Sequence, residues 1–215
     1  MVLYLSSNGF PTRTQFKQLV GKKYNEAKVG FIMNAVDWRK PAERRVRYAK
    51  TAKRFKGFGI KPELLDLRKF YDREPKSLLK KLQQYDLLWV RGGNTFFLRY
   101  VMNRSGFDRV IKEALKGGLV YAGESAGSLV MGPTIKYIDS ADDPSVVPKV
   151  IWRGIGLVDT VPLPHWGTRR YGSVLEETFR ALKRDGVKVA RFVDGEAMLV
   201  TDKGWRRVKA NRYWR

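Results

Sequence analysis

The chain has 215 residues, of which 43% are apolar and 13% aromatic, so it can bury a sizeable core and we predict one α/β domain over residues 1–215. It contains no cysteine, which excludes disulfides and thiolate sites. We recognise no signal-peptide leader and no apolar run long enough to span a bilayer, so we predict a cytoplasmic protein with no membrane partner. The 43 lysines and arginines outnumber the 21 acidic residues and give a net charge of +22, a field that attracts anions.

Strand-like and helix-like segments alternate from the first residues to the middle of the chain. The predicted strands cover 2–6, 28–33, 63–67, 86–90 and the apolar run before Ser125. The predicted helices cover 11–24, 41–56, 75–84, the segment after Asn94, and 107–116. This alternation predicts an α/β fold with a doubly wound, mostly parallel sheet and helices on both faces. In such sheets ligands bind beyond the carboxyl ends of the strands.

After Met131 the alternation of strand-like and helix-like segments becomes less regular. Segment 139–149 is predicted to be a loop, and 154–163 contains a strand that ends at Pro164 and His165. The remaining predicted elements are a helix over 171–184 and terminal strands at 187–193, 197–201 and 205–209. No internal repeat and no linker interrupts the chain, which favours a single domain.

Basic residues are concentrated in two places, around one predicted helix and at the end of the chain. The helix group comprises Arg39, Lys40, Arg44, Arg45, Arg47, Lys50, Lys53, Arg54 and Lys56. The terminal group comprises Arg206, Arg207, Lys209, Arg212 and Arg215. Such runs are typical of solvated faces. We therefore expect non-specific attraction to nucleic acid and no dedicated nucleic-acid partner.

The run 119–130 contains Gly-x-Ser-x-Gly between a predicted strand and a predicted helix, a context typical of a nucleophile elbow. Its glycines permit a tight turn that exposes the Ser125 hydroxyl. The same turn directs the backbone N–H of Ala126, at a helix N-terminus, toward an oxyanion formed there. The alternative is a glycine-rich turn whose serine caps a helix.

A serine hydroxyl needs a neighbouring base, and the only histidine of the chain is His165. Its predicted position at a strand end favours that role over an imidazole without function. A third group should orient the imidazole. The candidates are loop acids before the histidine and one acid after it, namely Asp139, Asp142, Asp143 and Glu196. Spacing does not choose among them.

The second donor of an oxyanion hole is predicted in Gly92-Gly93-Asn94, where small residues allow a substrate to approach the backbone. In the alternative interpretation Asn94 or Thr95 caps the following helix, and both interpretations can hold together. One histidine with scattered acids makes a zinc site improbable, and no P-loop sequence is present. We therefore predict no metal site.

Three motifs in this order resemble the peptidase E family of aspartyl dipeptidases, to which cyanophycinase is more distantly related. They are Arg-Gly-Gly-Asn-Thr-Phe at 91–96, Ala-Gly-Glu-Ser-Ala-Gly-Ser at 122–128 and Leu-Pro-His at 163–165. The segments 3–9 and 194–197 also fit. The resemblance implies a fold similar to class I glutamine amidotransferases, which is flavodoxin-like, with serine in place of the cysteine nucleophile.

The resemblance also implies a cofactor-free serine exopeptidase that removes an N-terminal aspartate from short, acidic peptides, and a homodimer. In that scheme Ser125 attacks the carbonyl carbon, and His165 acts first as base and then as acid. The N–H groups of Gly93 and Ala126 hold the oxyanion.

For the third member, the family implies either a glutamate matching Glu196 or an aspartate matching Asp142 or Asp143. We prefer Glu196, because its flanking residues match the family better than the loop does. In the family an arginine downstream of the histidine recognises the acidic side chain of the substrate. The best match in this chain is Arg170, with Arg169 beside it. The short loop after the histidine departs from the family pattern.

Two other functions remain open at this point. One is a serine esterase, or an isopeptide hydrolase that acts on another acyl compound. The other is a non-catalytic basic binding protein that retains the fold. The order of the triad along the chain bears on the first, since α/β-hydrolases have their acid between serine and histidine.

Overall fold

A computed structural model describes residues 1–211; Arg212 and Arg215 of the terminal basic group lie outside the described residues. The strands are β1 (Val2–Ser6), β2 (Val29–Ile32), β3 (Pro62–Leu64), β4 (Leu87–Val90), β5 (Val120–Glu124), β6 (Thr160–Leu163), β7 (Lys188–Arg191), β8 (Glu196–Thr201) and β9 (Gly204–Lys209). The α-helices are α1 (Arg13–Val20), α2 (Pro41–Gly57), α3 (Pro75–Leu82), α4 (Thr95–Arg104), α5 (Phe107–Lys116), α6 (Ala126–Leu129) and α7 (Gly172–Arg184). Short 3-10 helices cover Asn34–Val36, Leu67–Phe70 and Pro144–Val146.

The central sheet has seven strands in the order β3-β2-β4-β5-β1-β8-β9. The first five are parallel, whereas β8 runs antiparallel to β1 and forms a hairpin with β9. The prediction of a doubly wound, mostly parallel α/β fold is confirmed. In β5, Gly123 pairs with Leu5 of β1 and with Val90 of β4. The carboxyl ends of these three strands therefore meet at one edge of the sheet, where the site lies.

Strand β4 shows why the sheet is covered on both faces. Its four residues are all fully buried, and successive side chains point to opposite faces. Leu88 and Val90 belong to the core formed with α3, α4 and α5, whereas Leu87 and Trp89 belong to the core formed with α1 and α2. The apolar side chains of β4 thus contribute to the hydrophobic cores on both faces of the sheet.

Some element boundaries differ from the prediction for local reasons. Helix α1 ends at Val20 because Gly21 adopts a left-handed conformation with φ 76° and caps the helix through Lys17 O. Strand β3 is shorter than predicted, and the chain turns into a 3-10 helix at Leu67. Strands β6 and β7 pair with each other in a separate parallel sheet, since the free edge of β1 is occupied by β8.

Helix α2 carries most of the first basic group. Its two buried residues are Thr51 and Phe55, and most of its basic side chains are exposed, as predicted for a solvated face. No helix among residues 1–211 is long and apolar enough to span a membrane.

Helix α6 packs unusually close to the sheet, and two glycines make this possible. A Cβ added at Gly123 would lie 2.4 Å from Gly127 O, and one at Gly127 would lie 2.3 Å from Val90 O. Both neighbours are backbone atoms, which cannot move aside without shifting α6 or β4. The glycines of Gly-x-Ser-x-Gly are thus required by packing.

We therefore expect Gly127→Ala to lower the free energy of unfolding by about 1–3 kcal/mol through overpacking. Gly172→Ala is the matched control, because it lies at the start of α7 with nothing within 4 Å of the added Cβ. That change should leave stability equal or raise it by less than about 1 kcal/mol. Denaturant unfolding of both variants measures the difference, and equal effects would contradict the packing explanation.

Candidate active site

Ser125 sits in a sharp turn between β5 and α6. Its backbone has φ 55° and ψ −116°, in a region that L residues rarely adopt, and its N–H donates to Ser6 O at 3.0 Å. Its side chain forms no capping hydrogen bond to α6. The structure therefore does not support the alternative in which this serine merely caps a helix.

The hydroxyl of Ser125 contacts the single imidazole of the chain. Ser125 Oγ lies 2.8 Å from His165 Nε2, and His165 Nδ1 lies 2.8 Å from Asp194 Oδ1. The structure thus brings Ser125 and His165 together as the sequence interpretation required. The carboxylate behind the imidazole is Asp194, which was not among the candidates.

The small sheet explains this choice of carboxylate. Strands β6 and β7 are parallel, with Leu163 paired with Arg191, so the segments that follow them run side by side. His165 follows β6 and Asp194 follows β7. A backbone bond from Trp166 N to Phe192 O, 3.0 Å long, holds the two segments together. The sequence analysis missed Asp194 because the pairing of β6 with β7 is a long-range, tertiary feature.

The prediction that Glu196 orients the imidazole is corrected by these contacts. Glu196 Oε2 accepts a hydrogen bond from Val193 N at 3.1 Å and pairs with the guanidinium of Arg207. Gly195, with φ 91°, turns the chain between the two acids. Glu196 consequently begins β8 and supports the turn, while Asp194 faces His165.

The loop acids proposed as alternatives have other partners. Asp142 Oδ2 accepts hydrogen bonds from Thr95 N at 2.8 Å and Thr95 Oγ1 at 2.6 Å, at the start of α4. Asp143 Oδ1 accepts from Ser145 N at 2.8 Å and caps a 3-10 helix. Asp142 still lines the cleft beside Ser125, whereas Asp143 does not.

Asp194 is held by more than the imidazole. Ser7 Oγ donates to Asp194 Oδ1 at 2.9 Å and accepts from His165 N at 2.8 Å. The pKa of Asp194 falls to about 2, chiefly because of the hydrogen bond with His165, with smaller contributions from Ser7 and Asn8, while burial acts in the opposite direction. Asp194 is therefore an anion at neutral pH and can stabilise an imidazolium. Sequence reasoning missed the roles of Ser7 and Asn8, although their position directly after β1 is a usable signal.

Two backbone donors lie beside Ser125. Among residues 1–211, neither Gly93 N–H nor Ala126 N–H donates to a protein acceptor. Both residues line a small cavity of 30 Å³ next to Ser125. A Cβ added at Gly93 would lie 2.4 Å from Ala35 O, which explains the need for glycine there. Unpaired backbone N–H groups beside a nucleophile are the kind of donor that an oxyanion requires.

Asn94 has a structural role. Its Oδ1 accepts from Phe97 N at 2.9 Å and caps α4, and its Nδ2 donates to Asp143 O at 2.8 Å. Asn94 lines the cleft, but its buried amide is occupied by these partners. The capping interpretation is thus confirmed, and the predicted place of Asn94 at the substrate cleft is compatible with it.

A second cavity, of 220 Å³, opens over Ser125 and His165 and is lined by Arg170 and Tyr171. The Tyr171 ring stacks on the His165 ring at a centroid distance of 5.2 Å, and the Arg170 guanidinium lies 4.9 Å from the Tyr171 centroid. Glu124 lies at the base, where burial raises its pKa and its Oε2 has no hydrogen-bond partner among the described residues. Arg170 is thus in the cleft, as the resemblance implied.

The arrangement is suited to nucleophilic acyl chemistry. It combines a strained serine, an imidazole on its hydroxyl, an anionic carboxylate behind the imidazole and two unpaired N–H groups. Among the described residues, no group of three or more acidic or histidine side chains could hold a metal ion.

Comparison with known proteins also indicates a peptidase. The sequence model of peptidase family S51 matches residues 3–208. A Listeria innocua protein named uncharacterized peptidase Lin0382 is 34% identical over 122 residues, 56% of this chain and 58% of its own length. Peptidase E of Streptomyces coelicolor is 29% identical over 140 residues, 62% of this chain and 53% of its own length. The chain thus spans little more than half the length of these curated relatives.

A solved structure resembles the whole chain. It is the crystal structure of a candidate peptidase E protein from Listeria monocytogenes EGD-e, with a TM-score of 0.74 and 25% sequence identity. The likeness covers 98% of each chain. The fold is therefore shared over nearly the full length of both chains.

The single histidine makes the hydrogen-bond pattern directly measurable. In the neutral imidazole we expect Nδ1 to carry the proton, facing Asp194, and Nε2 to accept from Ser125 Oγ. Asp194→Asn can present an amide N–H to Nδ1 and should favour the Nε2–H tautomer. Imidazole ¹⁵N chemical shifts at alkaline pH report the tautomer without ambiguity.

Glu196→Gln is the matched control for this measurement, because it removes an equivalent charge two residues away. We expect the ¹⁵N shifts to stay at their wild-type values in that variant. A tautomer change in Glu196→Gln but not in Asp194→Asn would contradict the assignment of Asp194.

Proposed function

This chain belongs to peptidase family S51, and from that premise we propose that it is a serine exopeptidase that removes an N-terminal residue, preferentially aspartate, from short peptides. The observation that carries the proposal is the continuous hydrogen-bonded line from Ser125 through His165 to Asp194. This line ends at a cleft that also contains the two unpaired N–H groups.

In the first step His165 Nε2 takes the proton of Ser125 Oγ as the oxygen attacks the scissile carbonyl carbon. The Asp194 carboxylate stabilises the imidazolium that forms and maintains its orientation. Because its pKa is about 2, Asp194 stays ionised throughout and does not itself take the proton.

As this bond forms, the π-electron pair of the carbonyl moves onto its oxygen, and the N–H groups of Gly93 and Ala126 stabilise the resulting negative charge. The imidazolium then donates its proton to the leaving amine, and the acyl group stays on Ser125. Water, activated by the neutral imidazole, hydrolyses this ester and regenerates the hydroxyl. No cofactor is needed for any of these steps.

The preference for a short peptide with an acidic first residue is supported by the charges in the cleft. A cavity of 220 Å³ is small, and Asp142 lines it, so that its carboxylate can pair with the N-terminal ammonium of a peptide. Arg170 lines the same cavity and can form a charge-assisted pair with an aspartate side chain.

The order of the three residues along the chain bears on the esterase alternative. Serine, histidine and aspartate follow one another here, whereas α/β-hydrolases have the acid before the histidine. A basic binding protein without activity would have no need for a hydroxyl, an imidazole and a carboxylate in one line. Both observations favour the peptidase.

Substitutions within this line should separate its members from their neighbours. We expect Ser125→Ala to abolish measurable hydrolysis and Asp194→Asn to lower kcat by about 10²- to 10⁴-fold, because the imidazole loses its orientation and its counter-charge. Glu196→Gln, the control, should stay within about twofold of wild type, since its carboxylate contacts Arg207 instead. Steady-state kinetics on Asp-first dipeptides measure these effects, and hydrolysis that survives Ser125→Ala would rule out the mechanism.

The specificity prediction concerns Arg170. With dipeptides that begin with Asp, Asn, Glu or Leu, we expect Asp-first peptides to have the highest kcat/KM. Arg170→Gln should lower kcat/KM for Asp-first peptides by about ten- to a hundredfold, the value of a charge-assisted hydrogen bond, and leave Asn-first peptides nearly unchanged.

Arg169→Gln removes the same charge from the neighbouring, exposed position. It should change kcat/KM neither for Asp-first nor for Asn-first peptides. If Arg170→Gln affects Asp-first and Asn-first peptides equally, then this arginine does not recognise the acidic side chain.

A further inference from the structure

The proposed mechanism leaves one group of cleft residues without a role. Besides Arg170, three arginines line the 220 Å³ cavity, namely Arg39, Arg47 and Arg91, which we call the arginine cluster. Arg39 precedes α2, Arg47 lies on α2, and Arg91 directly follows β4. Three arginines from different parts of the chain thus line one cleft.

The arginine cluster adjoins the nucleophile. Arg91 is followed by Gly92, which packs so closely on the elbow that an added Cβ would lie 2.7 Å from Ser125 Cβ and 3.2 Å from Ser125 Oγ. Arg170, by contrast, comes from the segment after His165. The cleft therefore receives positive charge from α2 and from two segments that border the reacting hydroxyl, one after β4 and one after His165.

The positive charges of the cluster are incompletely neutralised. Arg39 pairs with Glu43 at 3.1 Å and stacks on Trp38, and Arg91 donates to Thr51 Oγ1 at 2.6 Å, a neutral acceptor. Arg47 forms no ion pair among residues 1–211.

The environment of Arg47 also contains more positive than negative charge. Partial desolvation and the positive charges of Arg39 and Arg91 lower the pKa of Arg47. The cleft also contains two carboxylates, Glu124 and Asp142, and burial raises the pKa of both. A bound anion would relieve the repulsion among the guanidinium groups.

The chemistry of a peptide determines where such an anion would be. If Arg170 binds the side chain of the first residue, as in the proposed function, that residue has no second carboxylate, because its α-carboxyl carbon is the scissile carbonyl. Any other carboxylate of the substrate belongs to the part that leaves as the amine. It is either the terminal α-carboxylate of a dipeptide or an acidic side chain of the second residue.

We propose that Arg39, Arg47 and Arg91 form a second anion subsite that binds a carboxylate of the leaving residue. The preferred substrates then carry a carboxylate on each side of the scissile bond. This inference rests on the proposed function and adds to it the charge of the residue after the cleaved bond.

Four peptides distinguish the two sources of the carboxylate: Asp-Leu, Asp-Leu amide, Asp-Glu and Asp-Glu amide. If the subsite binds the α-carboxylate, both amides should lose about tenfold in kcat/KM. If it binds the side chain, Asp-Glu should exceed Asp-Leu by about tenfold, and Asp-Glu amide should keep that advantage. In either case Arg47→Gln should reduce the preference to within about twofold, chiefly through KM.

Arg45→Gln provides the matched control, because it removes the same charge from an exposed position of α2 that does not line the cavity. Arg47 is itself exposed, so its substitution should leave the unfolding temperature unchanged. The subsite is overturned if Arg47→Gln leaves the preference intact, or if Arg45→Gln weakens it equally, which would indicate the general field of the protein.

Binding separates this inference from the proposed function. Calorimetry with Ser125→Ala measures the affinity for Asp-Glu and for Asp-Leu amide without hydrolysis. If the wild-type protein cleaves no peptide, the proposed function fails and the subsite is judged by binding alone. A tenfold weaker affinity for Asp-Glu when Arg47→Gln is added supports the subsite, and equal affinities overturn it.

Discussion

The whole site depends on the strained turn at Ser125. Residues other than glycine rarely adopt φ 55°, and the strain is of order 1–3 kcal/mol. The surrounding packing maintains it, because α6 is pressed against the sheet at Gly123 and Gly127, and Ser125 N–H is bound to β1. The turn holds the hydroxyl above the edge where β1, β4 and β5 end. Every other functional group is positioned relative to that point.

Charge is distributed in the cleft by burial and by pairing. Asp194 is half-buried yet strongly acidic, since hydrogen bonds from His165 and Ser7 favour its anion. Glu124 Oε2 has no hydrogen-bond partner among the described residues, and burial raises the pKa of this carboxyl. Of the arginines that line the cleft, Arg39 pairs with Glu43, whereas Arg47 forms no ion pair among residues 1–211. Four of the 43 basic residues thus line the cleft.

Much of the fold could be predicted because its signals are local. The alternation of apolar runs and helices indicated the doubly wound sheet, and α5 was predicted to its last residue at Phe107–Lys116. The β6–β7 sheet could not be predicted, because strand pairing is a long-range property. Helix α1 and strand β3 were predicted too long, since a left-handed glycine and a 3-10 turn ended them.

The sequence by itself determined the nucleophile and base to be expected here. Ser125 lies in a motif with a steric requirement for glycine, and His165 is the single histidine. Only the tertiary structure decided the third member and the surroundings of the cleft. Asp194 and Glu196 are two residues apart in one turn, and no local pattern tells which faces the imidazole. The register of β6 on β7 and the turn at Gly195 decide it, because a carboxylate acquires its role from its neighbours in space.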